Sequence, residues 1–156
     1  MGSICLLAPV PEEHLRSGLG VCINEGKVAF GSRAWETFFK LSEILKPAAI
    51  CDALIYASES ETALSTPTVT WRAKYLGFSE SRGGAHKDRM RYRPQTTTWP
   101  PSDNQGHWAL FWEVAEPREL EPNDYIRIGS LFGYERPRKL LKNFVPHGPT
   151  IVELEG

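Results

Sequence analysis

The sequence predicts an α+β domain: a small curved or barrel-like sheet of about five to six mostly antiparallel strands, flanked by helices. Three observations predict it. Apolar and β-branched runs cluster along the chain instead of alternating one for one with helical patterns, which argues against a doubly wound parallel sheet. Two helical patterns stand early, one after Pro11 and one after Ser32. Twelve Pro and 13 Gly cut the 156 residues into short pieces, and no internal repeat is present. The length suits one domain spanning 1–156, by the rough prior of about 100–200 residues per domain.

The elements follow in order. Ile4-Cys5-Leu6-Leu7-Ala8 reads as a buried first strand that Pro9 and Pro11 end. Pro11 suits the first turn of a helix, where its missing N–H costs nothing, and Glu12 and Glu13 favour the positive end of the helix dipole. Leu15, Leu19, Cys22 and Ile23 then fall on one helical face, with Gly26 as a stop. Ser32 is placed to cap a second helix. Ala34, Phe38, Leu41 and Leu45 share a face of it, Trp35 and Phe39 read as core beside them, and Pro47 ends it. Ala53 to Ser58 is a strand, and Thr68 to Phe78, β-branched and aromatic, is a second long one.

Residues 79–107 are poor in aliphatics and rich in turn formers, and they read as a long loop of functional character. Trp108 to Val114 is a strand, with Trp108 and Trp112 on the same side of it. Pro117 and Pro122 bracket a turn, and Tyr125 to Ile128 is a short strand. Pro137 opens a short basic helix through Lys142, and Thr150 to Leu154 closes the sheet.

Bulk composition excludes several classes. No apolar run approaches the ~20 residues of a membrane helix, and no leader pattern opens the chain. Cys5, Cys22 and Cys51 are odd in number and widely spaced, which fits reduced, buried thiols in a cytoplasmic protein better than disulfides or structural zinc. No cofactor motif is present, and none is expected. The charges nearly cancel, 18 basic against 19 acidic, so binding of nucleic acid by bulk charge is excluded. Their distribution is uneven. Residues 71–93 hold seven basic and two acidic groups, a net of +5; residues 127–142 hold five and one, a net of +4; residues 1–70 hold five and eight, a net of -3.

Four stretches carry a family resemblance. They are the opening strand; Gly26-Lys27-Val28-Ala29-Phe30-Gly31-Ser32 leading into a helix; Asp52-Ala53-Leu54-Ile55-Tyr56-Ala57-Ser58 followed by a strand ending Tyr75-Leu76-Gly77-Phe78; and Trp99, then Trp108 to Pro117. In order and spacing, the chain resembles the PUA-like superfamily, in its EVE and YTH branches, over roughly residues 3–120. The resemblance implies a curved β-barrel that reads a modified base in DNA or RNA within an aromatic cage. It sets the pocket between the turn at Val28–Ser32 and the loop near Trp99. The YTH branch has Trp in the early turn where this chain has Val28-Ala29-Phe30, so a two-Trp cage does not carry over.

The candidate pocket residues are therefore Phe30, Ser32 and Trp99. A flipped base needs flat faces to stack on and polar groups for its edge. Trp99 stands in a Thr/Pro-rich loop, where it either stacks a base or anchors the loop. Phe30 is either a wall or core, and Ser32 is a cap or an edge contact. Arg89, Arg91, Arg93, Arg138 and Lys139 are the candidate phosphate contacts, interleaved with Gly and Tyr as backbone-tracking loops are. The expected partner is thus nucleic acid and not a membrane. The competing reading is a small enzyme acting on a nucleotide or other polar small molecule, with His107 and Asp103 as an acid–base pair in one loop. Cys51 as a nucleophile is the weakest of these readings, since it needs a neighbouring base that spacing does not supply. A third reading is a protein-interaction domain whose exposed aromatics meet a partner.

Overall fold

The computed structural model describes residues 3–48, 50–60, 66–98, 108–135, 139–142 and 144–155. The chain is α+β. Its main elements are β1 (Ser3–Pro11), α1 (Glu12–Glu25), β2 (Val28–Ser32), α2 (Trp35–Leu45), β3 (Cys51–Ser58), β4 (Thr68–Val69), β5 (Trp71–Glu80), β6 (Leu110–Glu119), β7 (Ile126–Arg127), β8 (Phe132–Gly133) and β9 (Thr150–Leu154). Among the described residues, seven strands form one curled half-barrel sheet in the order β2-β6-β5-β3-β1-β9-β8. β4 and β7 form a separate pair. Within the large sheet only β1 and β3 run parallel.

The curl has a local cause. The β5–β6 ladder shifts register twice, between Arg72 and Lys74 and between Tyr75 and Gly77. Gly77 takes φ +126°, a conformation that a side chain would strain. Bulges of this kind bend a strand and deepen its twist. The sheet then wraps an aromatic interior in which Phe38 of α2 packs on Tyr75, Phe78 and Trp112. Leu6, Ala53, Ile55, Trp71 and Val114 complete that side. Cys5, Leu7, Leu54 and Val152 face the other side, beneath Leu120, Ile128 and Leu131. Both faces of β1 are thus covered, which explains its unbroken apolar run.

Several expectations are corrected. The sheet has seven strands rather than five to six, because Val28–Ser32 is a strand paired with β6 and not a turn, and because Phe132–Gly133 adds an edge. β1 runs on through Pro9 and Pro11. β9 reaches only as far as Leu7, so beyond it one edge of β1 is unpaired and can carry residues without an N–H. β6 likewise continues past Pro117 to Glu119. Glu116, at φ +50°, and Pro117 occupy the bulge opposite Ala73, where no ladder bond is lost. The run from Thr68 to Phe78 breaks at Thr70 into β4 and β5.

The basic helix through Lys142 is absent in its described part. Lys139 to Leu141 lie extended against β8 instead, and Lys142 is in a turn: the Gly133 N–H donates to the Lys139 carbonyl and the Leu141 N–H to the Leu131 carbonyl. On α2, Trp35 is 52% and Phe39 43% exposed, because Phe38 and Leu41 alone turn fully inward. On α1 the buried residues are Leu15 and Gly18, and Ile23 is 83% exposed in the last turn. Gly26 does end this helix, its N–H donating to the Cys22 carbonyl.

Candidate functional site

The unpaired end of β1 faces the outer edge of β2 across a small cleft. The cleft encloses about 110 Å³ and is walled by Phe30, Trp108 and Trp112, with Pro9 and Pro11 opposite and His14, Arg93 and Thr97 as its polar groups. Phe30 and Trp112 are partners across β2 and β6, their rings 5.1 Å apart at 49°. Trp108 precedes β6 and lies on the backbone of β2. A Cβ built on Gly31 would stand 2.5 Å from its indole. Glycine is the one residue that allows this approach. A second cavity of about 420 Å³ continues past Trp108, bounded by Ser32, Arg33 and His147.

The edge of β2 supplies backbone groups as well. The Ala29 N–H donates to the Tyr92 carbonyl at 2.7 Å, and the Ala29 carbonyl accepts Arg93 Nη1 at 2.7 Å. Both groups therefore point away from β6. Gly31, two residues along the strand, turns its N–H and C=O to that same edge.

Residues 81–98 form an ordered cover. The His86 ring is wholly buried; its Nδ1 accepts the Asp88 N–H at 3.0 Å, so Nε2 carries the proton and donates to Glu113 at 3.0 Å. Lys27 Nζ reaches the other Glu113 oxygen at 3.2 Å and lies over the Tyr92 ring. Burial raises the Glu113 carboxyl, but the hydrogen bonds from His86 and Lys27 outweigh it and hold the group below its usual range. The segment is also tied to α1. His14 Nδ1 stands 2.6 Å from Thr96 Oγ1, and Ser17 Oγ accepts the Gln95 N–H at 2.8 Å. Only strand alternation, which turns Glu113 away from Trp112 and Val114, hints at this cluster in the sequence.

The candidate residues separate clearly. Phe30 is 5% exposed and is core and cleft wall at once. Ser32 is buried, and its Oγ accepts the Ala34 N–H at 3.0 Å; α2 starts only at Trp35, so this bond shapes the approach to the helix. Arg93 is 3% exposed, with Phe111 beneath its guanidinium at 4.9 Å. It is a wall of the cleft, not an exposed phosphate clamp, because its fork is drawn onto the β2 edge. Arg91 is exposed and pairs with Glu25 at 2.9 Å. Arg89 is exposed at φ +58°. Lys139 is exposed beside β8 and lines neither cavity. Trp99, Arg138, His107 and Asp103 lie outside the described residues. Elsewhere in the basic stretch, Arg72 and Lys74 are engaged by Asp52, at 2.5 and 2.8 Å. Sequence reasoning missed Gly31, His14, Thr97 and the cleft-facing role of Trp108, since strand parity alone reads Trp108 as interior.

Cys51 does not fit a nucleophile. Burial pushes its thiol up to about 12, and burial does the same to Cys5, up to about 11. A reactive thiol needs the opposite shift. Both thiols should resist a disulfide-exchange reagent at pH 8 in the folded protein and react once it is unfolded by denaturant. Rapid labelling of Cys51 in the native protein, mapped by mass spectrometry, would contradict this. Among the described residues, no helix is long and apolar enough to cross a membrane.

No protein-family model, no curated protein and no solved structure matches the chain.

Proposed function

We propose that this chain is a non-catalytic nucleic-acid-binding domain that takes up a base, a modified one, between the aromatic groups at the β2 edge. The observation that carries the reading is the Trp108 indole seated on Gly31 beside Phe30 and Trp112, in a cleft with polar groups on one side. Flat apolar walls offer stacking to a planar ring, and neighbouring donors and acceptors read its edge. The cleft adjoins Phe30 and Ser32, as the PUA-like resemblance implies, and the curled sheet with flanking helices is compatible with such a barrel. Trp99 is proposed as the further stacking face, supplied by the segment that leads into Trp108.

The test is a tryptophan-fluorescence titration with short DNA and RNA oligonucleotides carrying 5-methylcytosine or N6-methyladenine, each against its unmodified counterpart. A modified oligonucleotide should bind more tightly than the unmodified one. Trp99→Ala should weaken that binding by about 1–3 kcal/mol, the range for one lost base–aromatic stack. Absence of binding at low salt would sink the reading, and indifference to Trp99→Ala would remove Trp99 from the site.

A further inference from the structure

We propose that the groove between α1 and residues 90–95 holds the phosphate and sugar of the nucleotide next to the pocket base on a single strand. The proposal rests on the base-pocket reading above and extends it. One observation joins the two places: Arg93 is a wall of the aromatic cleft and of this groove alike. A strand whose base entered the cleft would leave its backbone beside Arg93, at the groove's inner end.

The groove has the chemistry of a backbone track. It encloses about 480 Å³, within the range of ligand-sized pockets. Ser17, Gly20 and Asn24 form the helix side, and Arg91 and Gln95 the other. Among the described residues no aromatic ring lines it, so these offer a base nothing to stack on. It offers cations and amide donors instead, the groups that meet phosphate and sugar. Arg16, Arg91 and Arg93 line it together with Glu25, Arg93 as a buried wall whose guanidinium is held by the Ala29 carbonyl. Arg91 pairs with Glu25 and is still 60% exposed, so its guanidinium faces the groove mouth while being held in place. Arg16 is fixed at the other end by Glu12 and Glu119. A stacking pocket beside an arginine-lined groove is an arrangement by which proteins hold single strands.

Gly20 makes the test clean. A Cβ there meets nothing within 4 Å, so the helix has room for a substituent at this position. Gly20→Ala should raise Tm, since alanine is the better helix former, which checks that the helix accepts a side chain there. Gly20→Glu should fold as well and set a carboxylate where the phosphate lies; Asn24→Asp is a second variant acting in the same direction. The probes are 5-methylcytidine and N6-methyladenosine as free nucleosides, and each at the centre of a five-nucleotide single strand of DNA or RNA. At low salt the strand should bind the wild type about tenfold or more tighter than the nucleoside. Its affinity should fall with salt at a slope of about 0.7 per phosphate contacted, a dependence the nucleoside lacks. Gly20→Glu should erase the gain from strand length and leave nucleoside affinity within about twofold. Equal affinity of strand and nucleoside for the wild type, or a gain that survives both acidic variants, overturns the groove and leaves the pocket standing. Failure of the wild type to bind either probe overturns both.

Discussion

Replacing Gly31 by alanine should abolish most base binding while leaving the sheet in place. The new methyl would stand 2.5 to 2.7 Å from three atoms of the Trp108 indole, closer than real contacts allow. One of the two must move. The strand is held by its ladder to β6 and by Tyr92 and Arg93 on the other edge, whereas Trp108 precedes β6 and is half-buried. The indole is therefore the group that leaves. Loss of one stacking face costs about 1–3 kcal/mol, roughly a 5- to 150-fold weakening, and Trp108→Ala should match it. Overpacking of this kind also costs stability, typically about 1–3 kcal/mol. The double variant Gly31→Ala/Trp108→Ala separates the two effects. It should bind as weakly as either single variant and recover the stability that Gly31→Ala loses, since the clash is gone. Unaltered binding in Gly31→Ala, measured by titration, or strictly additive losses in the double variant, would refute this account of the cleft.

Replacing Glu113 should have the largest effect on stability. Its carboxylate is the shared partner of Lys27 and the buried His86, so Glu113→Ala leaves two polar groups stranded beneath residues 81–98. Leaving the buried His86 donor without its acceptor costs about 1–3 kcal/mol, and the half-buried Lys27 loses its partner as well, a large share of the ~5–15 kcal/mol that holds a domain together. The pH dependence follows from the direction of the shift. The folded carboxyl titrates below its ordinary value of 4.5, so the unfolded chain takes up this proton first. The contribution is full above that ordinary value and is lost as pH falls through the lower, folded one. Urea melts from pH 7 to pH 3 should show this loss in the wild type, and Glu113→Gln should show a flatter acid limb. Parallel limbs in the two proteins would remove Glu113 as the cause. Limited proteolysis should also cut the 81–98 segment of Glu113→Ala first, because the cluster docks it on β2 and β6.

Legibility followed the range of the interaction. The early strand, both helices, the stop at Gly26 and the closing strand were readable because apolar periodicity and glycine and proline stops act within a few residues. The prolines misled for a reason that lies outside the local sequence. Pro9, Pro11 and Pro117 read as strand breakers, yet each falls where no ladder bond is asked of it, at an unpaired edge or in a bulge. Trp35 and Phe39 read as core because helix periodicity names a face without saying how much of it the sheet covers. In the cleft, Phe30 and its neighbourhood were legible, whereas His14, Thr97 and Arg93 reach it only through the docking of residues 81–98 on α1 and β2.

The amino-acid sequence by itself determined the α+β class, most of the element order and an aromatic neighbourhood around Phe30. It also determined that positive charge collects in residues 71–93 and 127–142. The tertiary structure decided what those residues touch. It buried Arg93 as a shared wall, engaged Arg72 and Lys74 with Asp52, and set the Trp108 indole on Gly31. Local propensity is a property of neighbouring residues and can be read in a line. The meeting of Gly31 with Trp108, or of Glu113 with His86 and Lys27, depends on strand register and on where a loop docks, which only the packed chain specifies.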